Sequence, residues 1–235
     1  MSRSAPTAHI NPNPAKRFIE WSGSDGHPKY YDREKKENVN LPADLTFLVL
    51  DELCTIKGWH DASDSGIHSN EIRDTRNEPF VVRAFKGGTI AEGFYRDIKD
   101  KVNAHGGNFT ANIYIGIKID GELALASIQF KGAALNAWVD FRNEHRDDIG
   151  TKAIRIKGFT EGKKGKIVFR TPVFHIVEIT PDTNEAAIAL DRELQAYLKG
   201  YFGKNTAERV AEHDIEPREP EASELKEIGA VSEPL

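Results

Sequence analysis

The stretch between residues 152 and 170 combines positive charge with an aromatic side chain. It holds seven basic residues and one acidic residue, a net charge of +6. In residues 154–159, strand alternation turns the isoleucines to one face and the basic and aromatic side chains to the other. Such a face suits a nucleic acid, because phosphates require positive charge and unpaired bases stack on flat rings. The candidate contacts here are Arg155, Lys157, Phe159, Lys163 and Lys164. A solvated hairpin tip is the alternative interpretation.

A second set of basic and aromatic residues lies between positions 21 and 36. Tyr30 and Tyr31 are adjacent, so in a strand they face opposite ways and one of them is free to stack on a base. Trp59 stands in a polar stretch that predicts a loop over residues 58–70, where burying an indole is difficult. The candidate contacts from these regions are Trp21, Lys29, Tyr31, Trp59 and Arg73. Core packing and ordinary surface solvation are the alternatives.

Signals for metal binding and covalent catalysis are weak. The histidines and aspartates between His60 and His68 match no standard metal-ligand spacing, and a polar loop explains them equally well. The sequence contains no Walker loop, no Gly-x-Gly-x-x-Gly, no Gly-x-Ser-x-Gly and no Cys-x-x-Cys. The single cysteine, Cys54, lies in an apolar stretch, where a thiol behaves as a small hydrophobe. We therefore predict no catalytic residue, no metal and no cofactor.

One arrangement keeps an enzymatic alternative open. Asp120 followed by Gln129-Phe130-Lys131 is similar to the layout of restriction-endonuclease-type nucleases, in which carboxylates hold magnesium and a lysine supports the attacking water. Gln129 stands where that layout has a second acid, and Asp120-Gly121 also suits a hairpin turn. The alternative function is thus a magnesium-dependent nuclease that uses Asp120 and Lys131.

The elements that must position these residues are mainly strands. Isoleucines alternate from Ile113 to Ile119 and end at Asp120-Gly121, which predicts a β-hairpin. Further strands are predicted over residues 18–31, 45–56, 71–74, 80–85 and 153–179. Helices are predicted over residues 89–102, 133–141 and 182–198, the last begun by an Asp182-Glu185 capping box. Trp138 falls on the apolar side of its helix and is predicted to be core.

The charge of the chain is unevenly distributed. Residues 206–235 hold nine acidic and three basic side chains, a net charge of −6, so the rest of the chain carries +1 although the total is −5. We predict a flexible N-terminal arm over residues 1–16, one folded domain over 17–203 and an acidic flexible tail over 204–235. No apolar run is long enough for a membrane span or signal peptide, so we expect a cytoplasmic protein without membrane partners.

Several segments along the chain form a pattern typical of one protein family. They are Phe18-Ile19-Glu20-Trp21, Tyr31-Asp32, Phe47-Leu48-Val49-Leu50-Asp51-Glu52-Leu53, Gly58, Ser69-Asn70-Glu71 and Ile128-Gln129-Phe130-Lys131-Gly132-Ala133-Ala134. Over roughly residues 17–200 the chain resembles the single-stranded DNA-binding proteins of tailed bacteriophages. The resemblance implies an OB-fold, a small β-barrel with embellishing helices and an open groove for the strand.

The resemblance also implies a role in phage DNA replication, recombination or repair, in the host cell cytoplasm. An acidic tail in such proteins docks replication or recombination partners. In this chain the tail acids are spread out, and residues 228–235 are mildly apolar. Together the residues and the resemblance predict a non-enzymatic protein that binds single-stranded DNA largely without sequence preference. A module whose basic hairpin binds an acidic protein is a third interpretation, and the residues alone favour neither DNA nor RNA.

Overall fold

The computed structural model describes residues 13–214, except for the side chains of residues 207 and 212–214. Its strands are β1 (Phe18–Ser22), β2 (His27–Asp32), β3 (Glu37–Asn40), β4 (Thr46–His60), β5 (Ser65–Ser69), β6 (Phe80–Ala84), β7 (Gly88–Gly93), β8 (Gly107–Ile119), β9 (Glu122–Lys131), β10 (Ala153–Lys164) and β11 (Ile167–Val177). Its helices are α1 (Tyr95–Ala104), α2 (Gly132–Glu144), α3 (Pro181–Phe202) and α4 (Thr206–Asp214). None of these helices is both long enough and apolar enough to cross a membrane.

The fold is mainly β with added helices, which confirms the predicted class. All eleven strands belong to one sheet, whose main path runs β3-β2-β1-β9-β8-β4-β5-β6-β7. β1 is parallel to β9, and the other paired strands are antiparallel. The 15-residue strand β4 serves two parts of the sheet, since its first residues pair with β10 and its last with β5. A bulge between Val49 and Asp51 interrupts its pairing with β8, a feature that bends and twists a strand.

The main core lies between β1, β8, β9, β10, β11 and helix α2. Alternate residues of β8 face it because successive side chains of a strand point to opposite sides, and Ile115 is fully buried there. Trp138 of α2 lies among the rings of Phe130 and Phe174, with centroids 5.8 and 5.5 Å away. Its indole N–H donates to Glu52 Oε2 at 3.1 Å. Trp138 is therefore core, as predicted.

Residues 61–106 form an insertion between β4 and β8 that has its own core. A short 3-10 turn at Asp61–Ser63 leads into β5, and the hairpin β6–β7 then pairs with β5. Apolar side chains of these strands, among them Val82 and Ile90, pack against Ile98 and Val102 of α1. The insertion thus extends the sheet beyond the end of β4.

Helix α4 packs on β5 and β6, and helix α3 packs on part of the outer face of β4, β8 and β9, beside a buried carboxylate. Leu194 and Leu198 of α3 pack there with Leu53 and Tyr114 of the sheet. Glu71, 3% exposed, lies at the edge of this contact.

The Glu71 carboxylate and backbone are held by several donors and acceptors. The Tyr114 hydroxyl donates to Glu71 Oε2 at 2.9 Å, and Asn112 Nδ2 donates to Oε1. The Glu71 N–H donates to the hydroxyl of Tyr201 at 2.7 Å. Burial, and then the Glu71 charge, raise the pKa of Tyr114 well above its ordinary value. Both hydroxyls therefore stay protonated, and Tyr114 remains a donor to the carboxylate.

Four local predictions were wrong. Residues 71–74 are not a strand, since only an isolated bridge joins Ile72 to Cys54 there. β4 continues to His60 and β5 follows, so residues 58–70 are largely strand and not a polar loop. Residues 88–93 are strand β7, and the helix predicted from residue 89 begins at Tyr95, because Gly93 (φ 142°) leaves the helical region and the preceding residues pair with β6. The cap of α3 is Thr180, whose hydroxyl accepts from the Thr183 N–H at 3.2 Å, and not Asp182.

The ends of the described chain pack on the domain. Lys16 N–H donates to the Leu125 carbonyl at 2.8 Å, and Ala15 is 7% exposed. At the other end, Arg209 and Val210 of α4 are 8% and 1% exposed. The rest of the predicted arm and tail, residues 1–12 and 215–235, lies outside the described residues.

The thiol of Cys54 lies on β4 beside the core of the insertion. Burial raises its pKa to about 12. At neutral pH it is therefore a protonated thiol, which is a poor nucleophile.

Candidate nucleic-acid interface

The β10–β11 hairpin carries the predicted basic residues, but Phe159 does not share the face of Arg155 and Lys157 as predicted, because a bulge after Ile156 turns it to the other side of β10. Ile156 is fully buried, while Arg155 and Lys157 on either side of it are exposed. The pairing with β11 shifts after Ile156, where Gly158 adopts φ of 97°, a left-handed conformation that glycine takes readily. Beyond this shift Phe159 is 41% exposed. The hairpin thus presents positive charge and one aromatic ring to the solvent.

Ion pairs divide the seven basic residues of this stretch into two groups. The paired ones are Lys152 with Asp148 and Glu178 (3.2 and 2.7 Å), Arg155 with Asp44 (2.6 Å) and Arg170 with Glu161 (3.1 Å). Hydrogen bonds to Glu178 and then Asp148 raise the pKa of Lys152, and the hydrogen bond from Arg155 lowers that of Asp44. The remaining four, Lys157, Lys163, Lys164 and Lys166, are exposed and form no ion pair within residues 13–214. These four amines are therefore the positive charges of the hairpin that are available to bind a polyanion.

Phe159 rests on the turn between β1 and β2. A Cβ added at Gly26, where φ is 77°, would lie 2.6 Å from the Phe159 ring, so only glycine allows this contact. The guanidinium carbon of Arg170 lies 5.3 Å from the ring centroid, within cation–π range. Arg170 N–H also donates to the Gly23 carbonyl at 2.8 Å, which ties β11 to the same turn. Phe159 is held on one side and exposed on the other, as a stacking platform requires.

A pocket of about 50 Å³ lies beside this platform, between the β1–β2 turn, the start of α2 and β11. Its walls are Trp21, Gly23, Ser24, Lys131, Gly132, Ala133, Ala134 and residues 167–170. Lys131, the last residue of β9, forms part of its wall.

That outer face carries polar side chains in paired rows. Lys131 of β9 pairs with Thr110 of β8, which pairs with Thr55 of β4, so the three side chains share one face. Lys57, two residues beyond Thr55 on β4, shares this face and pairs with Asn108. The threonines and the asparagine are buried and form the floor, while the two lysines are partly exposed above it.

Trp59 continues the same face at the end of β4. It lies two residues beyond Lys57 and is partly exposed. Its Nε1 atom is buried and has no hydrogen-bond partner in the described part of the chain. A buried N–H without an acceptor is rare in folded proteins.

Three of the other predicted contacts, Trp21, Lys29 and Tyr31, are buried or half-buried. Trp21 is 4% exposed in the main core, and its Nε1–H donates to the Arg170 carbonyl at 2.8 Å, so its ring offers no stacking surface. Lys29 is also 4% exposed and contributes to the lowered pKa of Asp25, behind the hydrogen bond from Ser22. Tyr31 is half-buried on β2.

Arg73 is committed to the fold. Its Nη1 and Nη2 atoms donate to the two carboxylate oxygens of Asp51 at 2.9 and 2.6 Å. Its guanidinium carbon lies 5.3 Å from the Phe202 ring centroid, so it also fastens the end of α3. Because this bidentate pair occupies both terminal nitrogens of the guanidinium, few N–H donors of Arg73 remain to bind a phosphate.

Lys57 was not among the predicted candidate contacts, and Lys131 was considered only for the nuclease alternative. Alternation in Thr55-Ile56-Lys57-Gly58-Trp59 would have revealed that strand β4 continues and that Lys57 and Trp59 share a face. Phe85, which is 36% exposed, ends a similar alternation in Val81-Val82-Arg83-Ala84-Phe85.

The residues of the proposed nuclease centre lie far apart. Asp120 (φ 53°) and Gly121 (φ 90°) form the β8–β9 turn, whereas Lys131 ends β9. The ten residues of β9 separate them by roughly 30 Å. Within residues 13–214, no group of three or more histidine, cysteine, aspartate or glutamate side chains is placed to hold a metal ion. Among the loop residues considered as ligands, His60 Nδ1 instead hydrogen-bonds with Ser63 Oγ at 2.7 Å.

No protein-family model, curated protein or solved structure gives a significant match to this chain.

Proposed function

We propose that this protein binds single-stranded DNA, largely without sequence preference, and acts as a binding protein without covalent chemistry of its own. The observation that carries the proposal is that one hairpin, β10–β11, combines the exposed ring of Phe159 with four exposed lysines that have no ion-pair partner in the described chain. Lysines without carboxylate partners attract phosphates at little cost, and an exposed ring stacks on any base. A duplex hides its bases, so this combination favours single strands.

Strand connectivity supports the finer proposal of an OB-type barrel. Strands β4, β8 and β9 pair in sequence, α2 follows, and β10 then pairs with both the start of β4 and β11. An OB barrel has five strands in this succession. The fifth strand of such a barrel lies beside the third, but here β1 pairs with β9, and β11 instead contacts the β1–β2 turn.

The comparison with an OB barrel also supports a position for the DNA-binding groove. OB domains bind oligonucleotides on the face of their second and third strands and at the loops after the first and fourth strands. In this chain these parts correspond to the β8–β9 face, the insertion of residues 61–106 and the β10–β11 tip. Lys131 and Lys57 lie on that face, and Lys163 and Lys164 lie at that tip.

The biological setting is proposed from the resemblance to phage proteins. It is phage DNA replication, recombination or repair in the host cytoplasm, with the acidic tail as a docking segment for partner proteins. DNA rather than RNA as the ligand also follows from that resemblance.

The proposal is tested by the salt dependence of binding to an oligo-dT, measured by fluorescence anisotropy. If the four unpaired lysines each neutralise one phosphate, log Kd against log salt has a slope magnitude of about 3, since each phosphate on a single strand contributes about 0.7. Lys157→Ala lowers that magnitude by about 0.7. Lys152→Ala is the matched control and leaves the slope nearly unchanged, because Lys152 is already paired with two carboxylates.

Three outcomes would overturn the proposal. Equal affinity for the oligo-dT and its duplex would remove the role of the aromatic ring. Cleavage of either DNA in the presence of magnesium, lost in Asp120→Ala, would establish the nuclease instead. Binding to an acidic protein with none to oligonucleotide would favour the interaction module.

A further inference from the structure

The pocket between the β10–β11 hairpin and the start of α2 is open to solvent. It has a volume of about 50 Å³, and its walls include Gly23 and Ser24 of the β1–β2 turn and Ala133 of α2. These three residues are partly exposed, so the pocket can be reached from outside. It is therefore a place that a ligand can enter without any movement of the core.

The size of the pocket suits one flat ring. A cavity needs about 10 to 15 Å³ to hold one water molecule, so 50 Å³ holds roughly four waters. Four waters occupy about 120 Å³ as liquid, which is comparable to the volume of a single pyrimidine base. A base that enters the pocket would replace those waters.

The chemistry of the walls also suits a base. Ala133 and Ala134 of α2 and Ile167 and Phe169 of β11 are apolar. Phe169 is fixed in place because its ring lies over Gly162 on the paired strand, where a side chain would overlap it. The faces of a base are removed from water against such side chains, whereas a phosphate gains nothing from them.

Two lysines place positive charge beside the pocket. Lys131 lies in its wall and is partly exposed. Arg170 also lines the pocket and pairs with Glu161, so Lys163, two residues farther along β10, points to the same face of the hairpin. Lys163 is exposed and forms no ion pair within residues 13–214. An apolar pocket with lysines at its edge suits a nucleotide, which joins a flat base to a negative phosphate.

Phe159 lies on the same side of the hairpin as the pocket. It is two residues before Glu161 on β10, and its ring rests against Gly26 of the turn whose Gly23 lines the pocket. The guanidinium of Arg170, which also lines the pocket, lies 5.3 Å from the Phe159 ring centroid. A strand that stacks one base on Phe159 therefore brings its following bases near the pocket.

We propose that this pocket is a second base-binding subsite, which holds one base of the single strand while another base stacks on Phe159. The subsite rests on the proposed function and extends it. The phosphates beside the inserted base lie near Lys163 and Lys131, and Lys131 also belongs to the β8–β9 face, so the strand continues from the hairpin to that face. A base must leave its stack to enter the pocket, which adds to the preference for single strands.

The test fills the pocket without changing the charge of the protein. Ala133→Leu weakens binding of an oligo-dT of about 16 nucleotides, the upper range of an OB site, about tenfold because one base loses its place. The slope of log Kd against log salt stays unchanged, since no phosphate contact is lost. Ala189→Leu makes the same substitution at an exposed position of α3 and leaves the affinity unchanged. Anisotropy across a salt series measures both variants.

Further variants separate the pocket from folding. A Cβ added at Gly23 meets no atom within 4 Å, so the fold accepts a side chain there, and Gly23→Val weakens binding as Ala133→Leu does. Ala133→Gly leaves the pocket open and keeps the wild-type affinity. Combining Ala133→Leu with Phe159→Ala weakens binding about a hundredfold, because two bases held at separate places contribute independently.

The outcomes distinguish the subsite from the proposed function. Wild-type affinity in both Ala133→Leu and Gly23→Val, with Phe159→Ala still weakened, would overturn the subsite alone. An equal loss in Ala133→Gly and Ala133→Leu would assign position 133 to the support of the fold and would also overturn it. Failure of the wild-type protein to bind any oligonucleotide would overturn the proposed function.

Discussion

At the scale of single residues, Phe159 and the lysines around it make separable contributions. The ring rests on Gly26 and Arg170, so removing it changes stacking without changing the number of unpaired amines. The lysines contribute charge, which salt screens, whereas stacking is nearly insensitive to salt. The two contributions can therefore be measured apart in one titration.

We expect Phe159→Ala to weaken binding of oligo-dT about tenfold at every salt concentration, because one stacked base contributes 1 to 3 kcal/mol. The measurement is anisotropy across a salt series. Val168→Ala is the matched control, since Val168 is 46% exposed on the same hairpin but has no flat ring. A loss in Phe159→Ala that disappears at high salt would contradict stacking and indicate an electrostatic effect.

Burial decided which predicted residues belong to the site. Trp21 and Lys29 have the same residue types as Trp59 and Lys57, but they sit on β1 and β2, where the rings and amines face the domain. That outcome depends on β1 pairing with β9, a contact between residues more than one hundred positions apart. Local alternation cannot report a long-range contact of this kind. It did suffice for Arg155 and Lys157, whose side chains point away from the face of the buried Ile156. It did not suffice for Phe159, because the bulge after Ile156 turns that ring to the other side of β10.

At the scale of elements, hairpins with their own turn chemistry were predictable and the insertion was not. The Asp120-Gly121 turn sets the register of β8 and β9 by itself, since both residues adopt positive φ as that turn requires. By contrast, Ile90, Phe94, Ile98 and Val102 recur at a spacing of four and mimic one long helix. Ile90 instead belongs to β7, because pairing with β6 outweighs the local period.

The attachment of α3 to the sheet depends on the hydrogen bonds around Glu71. Replacing Tyr201 by phenylalanine removes the hydroxyl that accepts from the Glu71 N–H and leaves that donor buried. We expect Tyr201→Phe to lower the free energy of unfolding by about 1 to 3 kcal/mol, the cost of one unsatisfied buried donor. Urea denaturation followed by circular dichroism measures the change.

The control for this variant is Tyr31→Phe. Tyr31 is half-buried, and its hydroxyl makes no hydrogen bond to a described residue, so its removal costs little. Equal stability of Tyr201→Phe and Tyr31→Phe would show that the hydroxyl over Glu71 does not hold α3.

At the scale of the whole molecule, the positions of the charges decide whether the net negative charge opposes binding of a polyanion. The total charge of −5 argues against a polyanion ligand only if the acids lie near the basic face. Several acids of the folded part are engaged with basic partners, such as Asp44 with Arg155 and Asp51 with Arg73. The lysines of the β10–β11 tip have no such partners among residues 13–214. A net-negative chain thus presents a locally positive surface.

Residues 215–235 carry six acidic and two basic side chains, a net charge of −4, and we expect their removal to strengthen DNA binding. The truncation is placed after Asp214, because Arg209 and Val210 of α4 are buried and an earlier end would expose the sheet. Removing like charge raises the affinity for oligo-dT several-fold at low salt, and the gain fades as the Debye length falls below about 10 Å near 0.1 M salt. A full-length variant with four of the six acids changed to glutamine serves as the control, because it also raises the net charge by 4, and it gains affinity equally if charge is the cause. A gain in the truncated protein alone would assign the effect to the segment's bulk, and no gain in either would leave DNA binding independent of the tail's charge.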